Sequence, residues 1–337
     1  MNYSIKEYKS VVTRIGVALL LFLLLFNVLY GGVTSAAELL VSAFNGSRTV
    51  IIISELLCAV SYLLSFALPV PFFYAISKDA KCHPMELSLK IPSARPWITY
   101  TAIIFAGLAI IIPMATINSL IFPVYEESYA AMEDTIFKTS DSYRIMLDFL
   151  ATAIVPAFAE EFLFRGLIVS NLKPYSKSAA VIVSAVTFGL MHQNPTQLFY
   201  ATAAGLGLGL VYVTTESIWC CIALHFVNNL ISILQTYSVS LFGYDTALLL
   251  VTFFDIFVII IGIICGIYLL LGLKKEKEKQ RQNTSSVFGV YDSDGRLYEA
   301  KRKNNLALKA FATPSVAVFM AVCIVICAYV SLALNAF

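Results

Sequence analysis

Three short groups of residues in this chain have the types and spacing that chemistry needs. Glu160, Glu161 and Arg165 form the first, Phe188 and His192 the second, and His225 with Asn229 (Asn228 adjacent) the third. Residues four apart on an α-helix share a face, so Glu161 and Arg165 can neutralise one another. Glu160 is rotated by about 100° from Glu161 and points elsewhere. One carboxylate therefore has a partner within its own helix, and the other has none there. A carboxylate in that position is a candidate general base. His225 and Asn229 also share a face, and both can donate hydrogen bonds. A base, two imidazoles and an amide are the parts for activating water and holding an oxyanion. Each group alone has a blander reading. The ion pair can glue helices together, and the histidines and asparagines can be satisfied interhelical polar contacts.

The elements that carry these residues are membrane helices. Of 337 residues, 59% are hydrophobic and only 13% are charged, with a mean hydropathy of +0.81. Soluble domains are about half apolar and about a quarter charged. So little charge cannot cover a soluble globule of this size, which disfavours a soluble enzyme, a disordered chain and a nucleic-acid-binding module. A span needs about 20 apolar residues. Such segments fall at 15–35, 50–77, 97–123, 145–170, 178–193, 197–214, 217–241, 246–273 and 312–335. The expected fold is an all-α polytopic membrane helix bundle of about eight core spans plus a C-terminal ninth. It divides into N-terminal spans (1–144), a core (145–242), an eighth span (243–273), a polar insert (274–311) and a last span (312–337). Within the core, Gly205 and Gly209 are four apart, a spacing that lets helices approach closely.

Charge gives these spans a direction. Lys6, Lys9 and Arg14, then Lys78, Lys81, Lys90 and Arg95, then Lys173 and Lys177, then Lys274 to Arg281 all fall on one side of a nine-span chain. The loop at 124–144 falls on the other side and carries Glu126, Glu127, Glu133, Asp134 and Asp141. Basic loops stay cytoplasmic, which predicts a cytoplasmic N-terminus in a cell membrane, with a bacterial one as the expected setting. The insert reads as a solvated linker near anionic headgroups. The seven cysteines lie almost entirely in apolar runs, without a Cys-x-x-Cys pair. They give no disulfide framework and no thiolate zinc site. Charges inside a span are costly and mark function by default. By that measure Glu160, Glu161, Arg165, His192 and His225 stand out. Asp255, in the eighth span, reads as a polar contact with a neighbouring helix, and Glu55 as a group reaching the interface.

In order and spacing, the three groups resemble the CPBP/Abi family of type II CAAX prenyl endopeptidases and bacteriocin-processing enzymes. The residues that carry the resemblance are Glu160-Glu161-x-x-x-Arg165, Phe188-x-x-x-His192 and His225-x-x-x-Asn229, with Arg165-Gly166-Leu167 flanking the first. The likeness covers about 145–235. It implies an intramembrane glutamate-type endopeptidase. By analogy, Glu160 with His192 orients and deprotonates water, His225 and Asn229 stabilise the tetrahedral oxyanion, and Glu161 and Arg165 shape the site. The implied partners are a membrane protein or a lipidated or leader peptide as substrate, and membrane lipids, with no nucleic acid. No cofactor is expected. A divalent metal such as zinc stays open as an alternative, in which case Glu160, His192 and His225 would be its ligands. Two other functions compete. One is a non-catalytic scaffold or bacteriocin self-immunity protein. The other is a proton-coupled transporter using Glu160, Asp255 and the histidines as a relay, although the internal repeats common in transporters are not evident.

Overall fold

A computed structural model describes residues 5–78, 101–102, 105–110, 112–113, 117, 142–284 and 306–334. Among them the chain is helical, without strands. The first rod runs through α1 (Ile5–Leu24), a wide π-helical stretch (Leu25–Tyr30) and α2 (Gly31–Ala43). Next come α3 (Arg48–Ala67) and α4 (Pro69–Ala75). The rod that carries the paired glutamates is built from α5 (Ser142–Asp148), a π-helical stretch (Phe149–Ile154), α6 (Val155–Glu161), a second π-helical stretch (Phe162–Val169) and α7 (Ser170–Leu172). It is followed by α8 (Lys177–Met191), α9 (Pro195–Thr215), α10 (Ile218–Phe242), α11 (Tyr244–Thr284), α12 (Leu306–Phe311) and α13 (Pro314–Leu334). Five of the described helical segments are long and apolar enough to cross a membrane. Residues such as Leu249, Phe253 and Ile260 on α11 are exposed. In a chain this poor in charge, that surface faces lipid. The protein is an integral membrane protein.

The core is the contact zone of α1, the glutamate rod, α8, α9 and α13. Tyr8, Val11, Ile15, Leu19 and Phe22 of α1 are buried against it, recurring at helical spacing. The closest pairing is α8 with α9, and two glycines make it so. A Cβ on Gly205 would lie 2.9 Å from Ala185 Cα, and one on Gly209 would lie 3.0 Å from Val181 Cγ1. Gly207, between them, faces open space. The small-residue face read from the sequence is the face that packs. Gly205→Leu is expected to push α8 and α9 apart. Overpacking of this kind costs about 1–3 kcal/mol, and a lowered unfolding temperature in detergent measures it.

Aromatic and hydrogen-bond contacts mark the two ends of the bundle. Tyr8 packs edge-on against Tyr175 at 5.3 Å between centroids, and its hydroxyl donates to the Leu306 carbonyl at 2.9 Å. The start of α1, the loop after the glutamate rod and the return from the insert therefore share one end. At the other end the Arg48 guanidinium lies 4.4 Å over the Tyr143 ring.

Much of the third span (97–123) and most of the acidic loop lie outside the described residues. One sequence boundary changes. The insert is not a linker from 274 onward, because α11 continues helical to Thr284. At 1.5 Å per residue this 41-residue helix is about 60 Å long, twice the ~30 Å hydrocarbon core. The C-terminal span packs into the core. Val316, Phe319 and Cys323 of α13 are buried in the common core, and Ser315 Oγ donates to the Thr13 carbonyl at 2.9 Å.

Candidate active site

Pro156 shapes the approach to the glutamates. It has no N–H for the Thr152 carbonyl four residues before it. The helix answers in two ways. The turn before it widens, with the Val155 N–H reaching the Leu150 carbonyl. The Thr152 carbonyl receives the Asn229 side-chain amide instead, at 3.0 Å. The N–H that Pro156 lacks is thus accommodated by a π-helical stretch, a feature frequent at functional sites. It also settles which asparagine faces the rod. Asn229 reaches Thr152, and Asn228 Nδ2 donates to Asn229 Oδ1 at 3.3 Å.

Glu160 and Glu161 end α6 and are both buried, yet their surroundings differ. Glu161 Oε1 accepts from Arg165 Nη1 at 2.8 Å and from His225 Nδ1 at 2.8 Å. Arg165 has no solvent exposure. Its Nη2 donates to the Gly205 carbonyl at 3.2 Å, and its guanidinium stacks 4.7 Å over the Phe188 ring. Gly205 thus has a second use, since its carbonyl accepts from an arginine of the glutamate rod. The Glu161–Arg165 pairing is the one the spacing predicts, and His225 joins it from α10.

Glu160 stands apart from that network. Its Oε1 accepts from the Tyr62 hydroxyl on α3 at 2.5 Å. Its Oε2 is buried without a hydrogen-bond partner and lies 3.8 Å from His225 Nε2, beyond direct hydrogen-bond reach. Sequence reasoning left Glu160 without a partner and missed Tyr62. A tyrosine in an apolar span rich in aromatics carries no signal of its own. Only the approach of α3 to α6 reveals it.

His192 closes the site from α8. Ser176 caps the start of this helix, its Oγ accepting from the Ala179 N–H at 3.3 Å. At the other end His192 follows Met191 as the cap residue, and Gln193 turns the chain with φ of 53°. His192 Nδ1 donates to the Phe188 carbonyl at 2.9 Å. A carbonyl only accepts, so the proton sits on Nδ1 and a neutral ring leaves Nε2 as an acceptor. The imidazole interacts electrostatically with both Glu160 and His225. Phe188 is the shared packing surface, edge-on to His192 at 5.2 Å and to His225 at 5.9 Å. The structure therefore brings Glu160, Glu161, Arg165, His192 and His225 to one place. Asn229 sits one turn along α10, engaged with backbone.

Residues 142–231 match the family model for type II CAAX prenyl endopeptidases, described as Rce1-like. Those residues are the glutamate rod, α8, α9 and the site-bearing part of α10. Over these residues the chain is similar to the CAAX protease family. A protein of Bacillus subtilis (strain 168) named "Putative membrane peptidase YdiL" is 32% identical over 88 residues, covering 25% of this chain and 35% of that protein. The chain thus spans about a third of the length of this relative. No solved structure matches the chain.

The matched residues do not contain the whole site. Tyr62 comes from α3, outside the matched residues. Asp255 is also outside, and accepts from Gln235 Nε2 of α10 at 2.9 Å. It is the interhelical polar contact its sequence position suggested. Among the described residues no group of three or more His, Cys, Asp or Glu side chains could hold a metal ion.

Proposed function

We propose that the protein is a glutamate-type intramembrane endopeptidase. The reading is carried by one asymmetry. Within the matched core, Glu161 Oε1 is held by the Arg165 guanidinium and the His225 imidazole, whereas Glu160 Oε1 has only the neutral Tyr62 hydroxyl; both Oε2 atoms are buried without a hydrogen bond, and that of Glu160 lies 3.8 Å from His225 Nε2. Water held by Glu160 Oε2 and His192 Nε2 loses its proton to the carboxylate as its oxygen bonds to the scissile carbonyl carbon. His225, protonated on both ring nitrogens so that Nδ1 holds Glu161 and Nε2 donates, and the second amide N–H of Asn229 stabilise the resulting oxyanion. The C–N bond then breaks, and the proton on Glu160 passes to the departing amine. Glu161 and Arg165 hold His225 and the helix pair in place.

The substrate is a membrane-associated protein or peptide, either CAAX-like at its C-terminus or a leader or bacteriocin-type precursor. The N-terminus is cytoplasmic, and the membrane is that of a bacterial cell. The test compares cleaved C-termini and leaders across a proteome with the active protein and with Glu160→Ala, at equal protein levels. Products that vanish in the variant support the reading and name the substrate. Identical products overturn it, and point to the scaffold or immunity role, which would tolerate the substitution.

A further inference from the structure

We propose that Tyr62 is a positioning residue for Glu160: its hydroxyl holds Oε1, so that Oε2 is the oxygen presented to water beside His225. This depends on Glu160 being the base. A carboxylate has two oxygens and a rotatable terminal torsion, and a group meant to take a proton from one defined point must be fixed. Glu161 is fixed by two donors. Glu160 has the Tyr62 hydroxyl at 2.5 Å, and its other oxygen is left without a hydrogen bond. A charge-assisted O–H···O bond is among the stronger ones available to a side chain.

The tyrosine is itself held. Its ring lies 4.7 Å from Phe66, 5.2 Å from Tyr30 and 6.0 Å from Phe26, between centroids. Phe26 and Tyr30 are four apart on the π-helical stretch Leu25–Tyr30, and their rings contact each other at 5.2 Å. The widened turn of the first rod thus supplies part of the wall that sets the Tyr62 ring. The orientation of the base is built by residues 26–66, outside the CAAX protease core. Residues 142–231 alone carry the charged groups, but not the donor that holds Glu160.

The experiment uses the full chain in lipid nanodiscs with an internally quenched peptide ending in S-farnesyl Cys-aliphatic-aliphatic-X. Tyr62→Phe keeps the ring and its three aromatic contacts and removes only the hydroxyl. Loss of one hydrogen bond to a charged group should lower kcat about tenfold to a hundredfold, with KM within about twofold and the unfolding temperature unchanged. A purely structural role would instead move the unfolding temperature and spare kcat. If Glu160→Gln is inactive and Tyr62→Phe cleaves at the wild-type kcat, the positioning role is overturned and the peptidase reading stands. If Glu160→Gln still cleaves, both fall. A second measurement needs no substrate. Infrared difference spectra between wild type and Glu160→Gln isolate the Glu160 carboxyl bands. A shift of those bands in Tyr62→Phe supports the bond, and identical bands overturn it.

Discussion

Glu160→Gln is expected to give a folded, correctly inserted protein that no longer cleaves. Glutamine has the shape of glutamate, and its carbonyl oxygen can still accept from Tyr62. The amide cannot take a proton from water, so the substitution removes the base and little else. General-base catalysis contributes roughly 10²–10⁴ in rate, and loss on that scale should appear in kcat rather than KM. Single-turnover cleavage in nanodiscs measures it. The unfolding temperature should change little, because the amide keeps the Tyr62 bond and the ion pair it weakens, to His225 Nε2, is long at 3.8 Å. Activity within a few-fold of wild type would mean that the water is activated elsewhere. The same substitution at Glu161 has a different meaning. It would weaken the bonds to Arg165 and His225 together, and so mix folding with chemistry. That contrast is what makes Glu160 the informative position.

How much of this was legible in the sequence follows from which interactions are local. The Glu161–Arg165 pair is one helical turn, and spacing alone predicts it. The α8–α9 contact is written in Gly205 and Gly209, because small residues four apart are a face by geometry. The end of α8 at His192 is announced by Asn194-Pro195. The groups that complete the site come from further away in the chain. Tyr62 reaches Glu160 across 98 positions, and His225 reaches Glu161 across 64. The histidine was still visible, because an ionisable group in an apolar helix is costly enough to stand out. The tyrosine was not, because its ring is at home there and only its hydroxyl acts. The role of Pro156 was half legible. The missing N–H follows from the residue type, but neither the widened turn nor the use of Asn229 to satisfy Thr152 does. The extra helix beyond 273 was hidden by composition. Lysine-rich, glutamate-rich sequence reads as a solvated linker, yet both residues are good helix formers.

Arg165→Met should be the most destabilising of these substitutions, and the reason lies in what it leaves behind. The guanidinium fills three needs at once. It neutralises Glu161, satisfies the Gly205 carbonyl, and stacks on Phe188 beneath both histidines. Methionine fills much of the volume and none of the needs. Glu161, with no solvent exposure, would keep its charge with only His225 to answer it, and removing one partner of a buried ion pair costs about 3–5 kcal/mol. Total stabilities of native proteins are about 5–15 kcal/mol, so the variant should accumulate poorly and unfold far below the wild type in detergent. The double variant Arg165→Met, Glu161→Gln separates charge from volume. Replacing both partners of a buried pair is often close to neutral, so stability should largely return. Cleavage should not, because His225 Nδ1 then faces a neutral amide, and the ring that confronts Glu160 loses its anionic anchor. Arg165→Lys tests the geometry. Lysine keeps the charge but not the planar fork. It cannot donate to Glu161 and Gly205 in the same directions while stacking on Phe188, so it should fall between wild type and Arg165→Met in unfolding temperature. A lysine variant as stable as wild type would show that charge alone holds α6 to α9.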